Sequence, residues 1–329
     1  MIRGANHVLA DWSTVKQLTV AALPTDKDAA MRGKELMKRA FGHRFSYIGV
    51  LRALLEMLAH PVVLFALADK SEPMQDLANP KWSALSDQKR ERSLDHINKI
   101  LAFVRAAVFD HQSHAKLIET INAAHAGKTF ELKERVGAWP PAIYKIDETE
   151  YLFWVLATIM RHTLEAYNTF VVEPTVDMGL TDDDRDDFYT AMLNFAAPLG
   201  INLHKVNVTP VTEHAMTAGI EKWLSQMSDY LSVTDEARTI VNNLVASGFV
   251  QSLICPKGYE FDVITLIAED LTPHVRGGTT LHKRPEGNYT HVEGYGINVV
   301  NSHYESAVTT LRTLLDHTDP KGLQAPFTS

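Results

Sequence analysis

The chain has 329 residues, 45% hydrophobic and 22% charged, a balance that lets a globular protein bury a large core without staples. A formal charge of -8 and a pI near 6.0 leave no basic footprint for nucleic acid or an anionic membrane surface. Cys255 is the only cysteine, which excludes an internal disulfide and any cysteine-rich zinc or iron–sulfur site and fits a reducing, cytoplasmic setting.

No stretch reaches the roughly 18 apolar residues of a membrane-spanning helix, and the N-terminus carries no signal-peptide core, so a soluble protein is expected. Residues Asp26 to Phe41 are charged and helix-prone, and Met31, Leu36, Met37 and Phe41 predict an amphipathic helix. Tyr47 to Leu67 is strongly apolar but interrupted by His60-Pro61. Proline removes a backbone donor and restricts the residue before it, so the segment reads as two helices, or one kinked helix, buried all round. Ser71 to Asp87, with Pro73 and Pro80, reads as a surface loop.

Gln88 to Val108 returns to helical spacing, with Leu94, Ile97, Ile100, Leu101, Val104 and Val108 on one side. His111 to Ala126 predicts the next helix. There Leu117, Ile118, Ile121 and His125 recur at three and four, which puts the imidazole on an apolar face, and Gly127 ends the helix. A long helix follows from Asp147 to Phe170, with Leu152, Val155, Leu156, Ile159, Leu164 and Tyr167 buried. Another runs from Thr181 to Leu199, opened by a Thr181/Asp184 capping box. Further helices are predicted from Thr212 to Leu231 and from Thr234 to Leu244, with no alternating strand block before residue 245. Beyond it, Gly277-Gly278, Pro285 to Gly287 and Gly294 to Gly296 read as loops, and a last helix spans roughly Ser302 to Leu315. The expected fold is all-α, a globin-like helical bundle forming a single domain with a less regular C-terminal extension. Its parts are an N-terminal helical segment (1–46), a helical core (47–245) and an extension packed on that core (246–329).

Two constellations carry chemistry. His125 on its apolar helical face reads either as a hydrogen-bonded core residue or as a neutral nitrogen aimed at a haem iron. The run Asp182 to Asp187 matches the DDxxD pattern by which terpenoid cyclases hold magnesium. It also sits at a helix N-terminus, where carboxylates cap and complement the dipole, and no second metal motif lies downstream. The fifteen histidines form no HExxH cluster, and GxGxxG, Walker and GxSxG signatures are missing.

Several segments together resemble one family. Arg52-Ala-Leu-Leu-Glu-Met-Leu-Ala-His60-Pro61, followed by Ala68-Asp69, is similar to an opening RALLLQ-x-AHP helix and a V-A-D-H-S motif. Ile121-Asn122-Ala-Ala-His125-Ala resembles an N-A-x-H helix, and Trp154-Val-Leu-Ala-Thr158, with Ala166-Tyr167 and Phe170 behind it, resembles a W-V-H-A-T helix. These are motifs of the MpaB/rubber-oxygenase family, and the similarity fades after about residue 245. The resemblance implies a non-covalent haem b, with His125 as proximal iron ligand and Asn122, Trp154 and Thr158 around the cofactor. It implies dioxygen and a hydrophobic, isoprenoid or lipid-like substrate undergoing oxidative alkene chemistry. The family's distal R-x-x-R-T or R-x-x-K-T pattern becomes His96-Ile97-Asn98-Lys99-Ile100 here, which places Lys99 and His96 as distal catalytic candidates. Leu156 and Lys70 stand where the family has histidines. The alternatives are a non-catalytic haem or lipid-binding protein and the magnesium-dependent cyclase.

Overall fold

In the computed structural model the described residues are 27–42, 46–109, 111–170, 180–196, 198–201, 216–228, 230–249, 281–283, 289–292 and 297–300. Helix α1 (Lys27–Gly42) buries Ala29, Gly33, Leu36, Met37, Ala40 and Phe41 along one stripe. Met31, expected on that stripe, is instead 60% exposed, because it falls on the opposite side from Leu36 and Ala40. Every residue of α2 (Ser46–Leu58) is buried. The His60-Pro61 break works as read: Pro61 opens α3 (Pro61–Lys70), His60 caps it, and the chain bends by 100° between α2 and α3.

Ser71 to Asp87 is not the surface loop its prolines suggested. It holds a short helix, α4 (Glu72–Leu77), and a 3₁₀ turn at Trp82–Ala84, with Met74, Leu77 and Trp82 buried. Pro73 lies in the first turn of α4, where a missing N–H costs nothing. Asp76 ties the segment to α5 (Asp87–Phe109) through Lys89 at 3.3 Å and Arg92 at 2.8 Å. Helix α6 (His111–His125) follows and ends at Gly127, whose φ of 67° is the left-handed conformation of a C′ glycine.

A second correction lies between α6 and the next helix. Strands β1 (Thr129–Leu132) and β2 (Ala142–Lys145) pair antiparallel, with Phe130 opposite Tyr144. Phe130, Leu132 and Tyr144 are buried while Thr129, Glu131 and Lys145 are exposed, an alternation only four residues long in each strand. Helix α7 (Thr149–Phe170) then crosses the core and packs on α2. Helix α8 (Asp182–Ala196) packs on α1 and opens with the expected capping box: the Thr181 N–H donates to Asp184 Oδ2 at 3.0 Å and the Asp184 N–H donates to Thr181 Oγ1 at 3.1 Å.

Helices α9 (Met216–Ser228) and α10 (Asp235–Ala246) follow among the described residues. Thr234 caps α10 by accepting from the Ala237 N–H. The chain after α9 is anchored to the core where the Ser232 N–H donates to Ala59 O at 2.7 Å and Trp139 Nε1 donates to Tyr230 O at 2.7 Å. The fold is all-α, with one cluster of buried apolar side chains that joins α1 to α5, α7 to α10 and the hairpin. Strands β3 (Leu281–Lys283), β4 (Tyr289–Val292) and β5 (Ile297–Val300) form an antiparallel sheet in the expected extension. The loops read at 277–278, 285–287 and 294–296 and the helix at 302–315 lie outside the described residues. Among the described residues no single helix is long and apolar enough to cross a membrane.

Glycine lets α2 and α7 approach closely in the core. A Cβ at Gly49 on α2 would lie 2.5 Å from the His162 carbonyl oxygen and 2.6 Å from Thr163 Cα on α7. Both neighbours are backbone and cannot swing away. Gly49→Ala is therefore expected to destabilise by about 3 kcal/mol, the upper part of the overpacking range, and a denaturant midpoint equal to the parent's would show that the helices separate freely.

Candidate functional site

His125 is the last residue of α6, on the face shared with buried Ile118 and half-buried Ile121. Its ring is half-buried, and Nδ1 is closed off from solvent without a hydrogen-bond partner. Burial, helped by the Lys128 charge, pushes its pKa below the usual histidine value, so the ring is neutral at pH 7 and keeps a lone pair free. One turn earlier Asn122 donates from Nδ2 to Pro198 O at 3.1 Å, which ties α6 to the chain after α8. Among the described residues Ile118, Ile121 and His125 share this face, which ends in an imidazole with an unbonded Nδ1.

The other expected residues do not all gather there. Lys99 on α5 points outward, 73% exposed, and pairs with Asp95 Oδ2 at 2.7 Å one turn away. His96 is half-buried, its Nε2 3.4 Å from Ser71 Oγ, and burial with the Lys99 charge lowers its pKa. Trp154 and Thr158 are completely buried on α7, and Trp154 Nε1 and Thr158 Oγ1 have no partner. Trp154 belongs to an aromatic cluster with His60, 5.8 Å between ring centroids, and Trp223, 6.1 Å.

The acidic run splits into three uses. Asp182 and Asp183 are exposed, and Asp184 completes the capping box. Asp186 accepts from the Thr217 N–H at 2.8 Å and its hydroxyl at 2.6 Å, capping α9, while Asp187 takes a two-pronged hydrogen bond from Arg32. Asp186 and Asp187 are buried rather than solvated, and they join α8 to α9 and α1. Among the described residues no group of His, Cys, Asp and Glu side chains is arranged to hold a metal ion.

Sequence reasoning missed a charged network in the middle of the bundle. Glu56 on α2 is completely buried; its Oε2 accepts from Arg161 Nη2 and lies 2.5 Å from His162 Nε2. His162 Nδ1 lies 3.1 Å from Glu165 Oε2 at the half-exposed edge of α7. Tyr189 on α8 donates to Glu221 Oε1 on α9 at 2.9 Å, and Glu221 Oε2 is 3.9 Å from Arg161. Burial works against both ions of the central pair. The Arg161 charge and the His162 hydrogen bond nevertheless hold Glu56 down to about 2, and hydrogen bonds to Glu165 and Glu56 hold the His162 pKa above its usual value. The available sequence signal was Glu56, Arg161 and His162 standing inside otherwise apolar helices.

Residues 38–277 match a family model described as ER-bound oxygenase mpaB/B'/Rubber oxygenase, catalytic domain, a span that runs on past residue 245. No curated protein and no solved structure matches the chain.

Proposed function

Because the chain belongs to the mpaB/rubber-oxygenase catalytic-domain family, we propose that it is a haem b-dependent oxygenase acting on a hydrophobic, isoprenoid or lipid-like substrate. The observation that carries the haem assignment is His125: a neutral, half-buried imidazole with a ring nitrogen closed off from water and left without a partner. These residues fit the group. His125 would hold the iron, and Asn122 fixes the end of α6 that presents it. When bound, haem supplies dioxygen binding and activation.

The chain's own part is position and dryness. The fully buried α2 and the largely buried α7 exclude water from the interior and favour an apolar ligand over a small polar acid. His96, neutral and half-buried, is available as a distal hydrogen-bonding group. Lys99 can act distally only after leaving Asp95 and giving up its proton. That outward pairing is the observation favouring a second reading, a haem or lipid-binding protein without turnover.

The purified protein is expected to show a Soret band, either as isolated from haem-supplemented cells or on adding hemin. A colourless preparation that stays colourless with hemin would sink the assignment. Oxygen consumption with a hydrophobic alkene separates the enzyme from the binding protein.

A further inference from the structure

Where α2 bends into α3 against α7, the interior holds polar atoms with nothing to bond. His60 is completely buried, and its Nδ1 accepts from the Val63 N–H at 3.4 Å as the cap of α3, so the ring hydrogen sits on Nε2. That N–H has no acceptor. Burial holds the His60 pKa at about 3, so the ring is neutral. Trp154 Nε1–H is equally buried and equally without an acceptor, and the Thr158 hydroxyl, one turn along α7 on the same face, is the third such group. Aromatic rings wall the histidine: Trp139 at 4.9 Å, Tyr151 at 5.6 Å and Trp154 at 5.8 Å between centroids.

The chemistry of these groups selects their partner. An indole N–H and the Nε2–H of a neutral imidazole can only donate, and a buried donor left unmet costs stability, so the cluster calls for an acceptor. A cation would face N–H hydrogens. An anion would face the negative π surfaces of the rings and lose its hydration. A neutral oxygen suits both the donors and the rings.

We propose that His60, Trp154 and Thr158 form a binding site for a neutral acceptor oxygen, a carbonyl or hydroxyl, carried by an otherwise apolar ligand. The site rests on the proposed function in one respect: it names the polar group of that hydrophobic substrate, and it assigns Trp154 and Thr158 to the substrate's oxygen rather than to the cofactor. An ordered water is the other source of a neutral oxygen, and the test separates the two.

Calorimetric titration of the purified protein compares three probes of one chain length: a long-chain methyl ketone, its hydrocarbon isostere with a methylene in place of the carbonyl oxygen, and a fatty carboxylate. The parent is expected to bind the ketone about tenfold tighter than the isostere and the carboxylate most weakly. Thr158→Val and Trp154→Phe each delete one donor. Each is expected to shrink the ketone-to-isostere ratio several-fold while the isostere's affinity stays within about twofold of the parent. Thr158→Val keeps the residue's volume and removes a hydroxyl that has no partner, so its fold is expected to survive, with unchanged circular dichroism as the control. Equal binding of ketone and isostere to the parent, or an unchanged ratio in both variants, would show that the donors hold water only and overturns the site. Tightest binding of the carboxylate overturns its neutrality. The same preparations are titrated with hemin: a Soret band without ketone preference defeats this site alone, and ketone preference without a Soret band defeats the haem reading alone.

Discussion

His125→Ala is expected to abolish stable haem binding, while Lys99→Ala retains the cofactor. The difference lies in what each side chain is committed to. His125 is neutral, and its Nδ1 has no partner inside the protein, so an iron meets a free lone pair without breaking any existing bond. Lys99 is 73% exposed and bonded to Asp95, so its amine must lose an ion pair, a hydration shell and a proton before it can ligate. The outer-shell partners of a metal ligand cost roughly 10–100-fold in affinity when removed, and loss of the ligand itself is expected to exceed that. Haem content and the ferric spectrum of both purified variants provide the check. Full haem retention in His125→Ala refutes the proximal assignment, and an unchanged spectrum in Lys99→Ala refutes distal ligation alone.

The helices were legible because their signals are local. Apolar spacing, the His60-Pro61 break, Gly127 and the Thr181/Asp184 capping box each act within a turn or two, and the last three appear in the structure where they were read, while the spacing misplaced Met31. Prolines misled at Pro73, since a proline in the first helical turn and a proline in a loop leave the same mark in a sequence. The β1/β2 hairpin escaped because four residues of alternation do not rise above chance. The site was legible in part. The face ending in His125 follows from spacing along one helix, but the outward turn of Lys99 and the gathering of Trp154 with His60 depend on how α5 and α7 are rotated against their neighbours. The Glu56 network was wholly tertiary: its acid lies 105 residues from its arginine, and no periodicity brings them together.

Arg161→Met is expected to cost about 3–5 kcal/mol of stability, because it leaves Glu56 as a buried carboxylate that has lost its main counter-charge. Combining it with Glu56→Leu is expected to recover much of that loss, since apolar replacements on both sides strand no arginine–carboxylate charge, and the shortfall from additivity in the double-mutant cycle measures the coupling. The same network gives stability a maximum in pH. Glu56 titrates at about 2 in the folded chain against an ordinary 4.5, so its contribution is complete above 4.5 and is lost as pH falls toward 2. His162 is shifted the other way: its contribution is complete below its ordinary 6.5 and is lost as pH rises through its raised folded value. Glu221, raised by burial against the pull of Arg161, subtracts stability as pH rises from its ordinary 4.5 through its raised folded value. Denaturant unfolding across pH is therefore expected to show two falling limbs, with His162→Gln flattening the alkaline one. Arg161→Met should shrink the acid limb, because Glu56, no longer held down by the guanidinium, titrates closer to its ordinary value. An acid limb of undiminished depth in Arg161→Met would mean that the carboxylate is held by His162 alone, and the arginine's burial beside it would then need another cause.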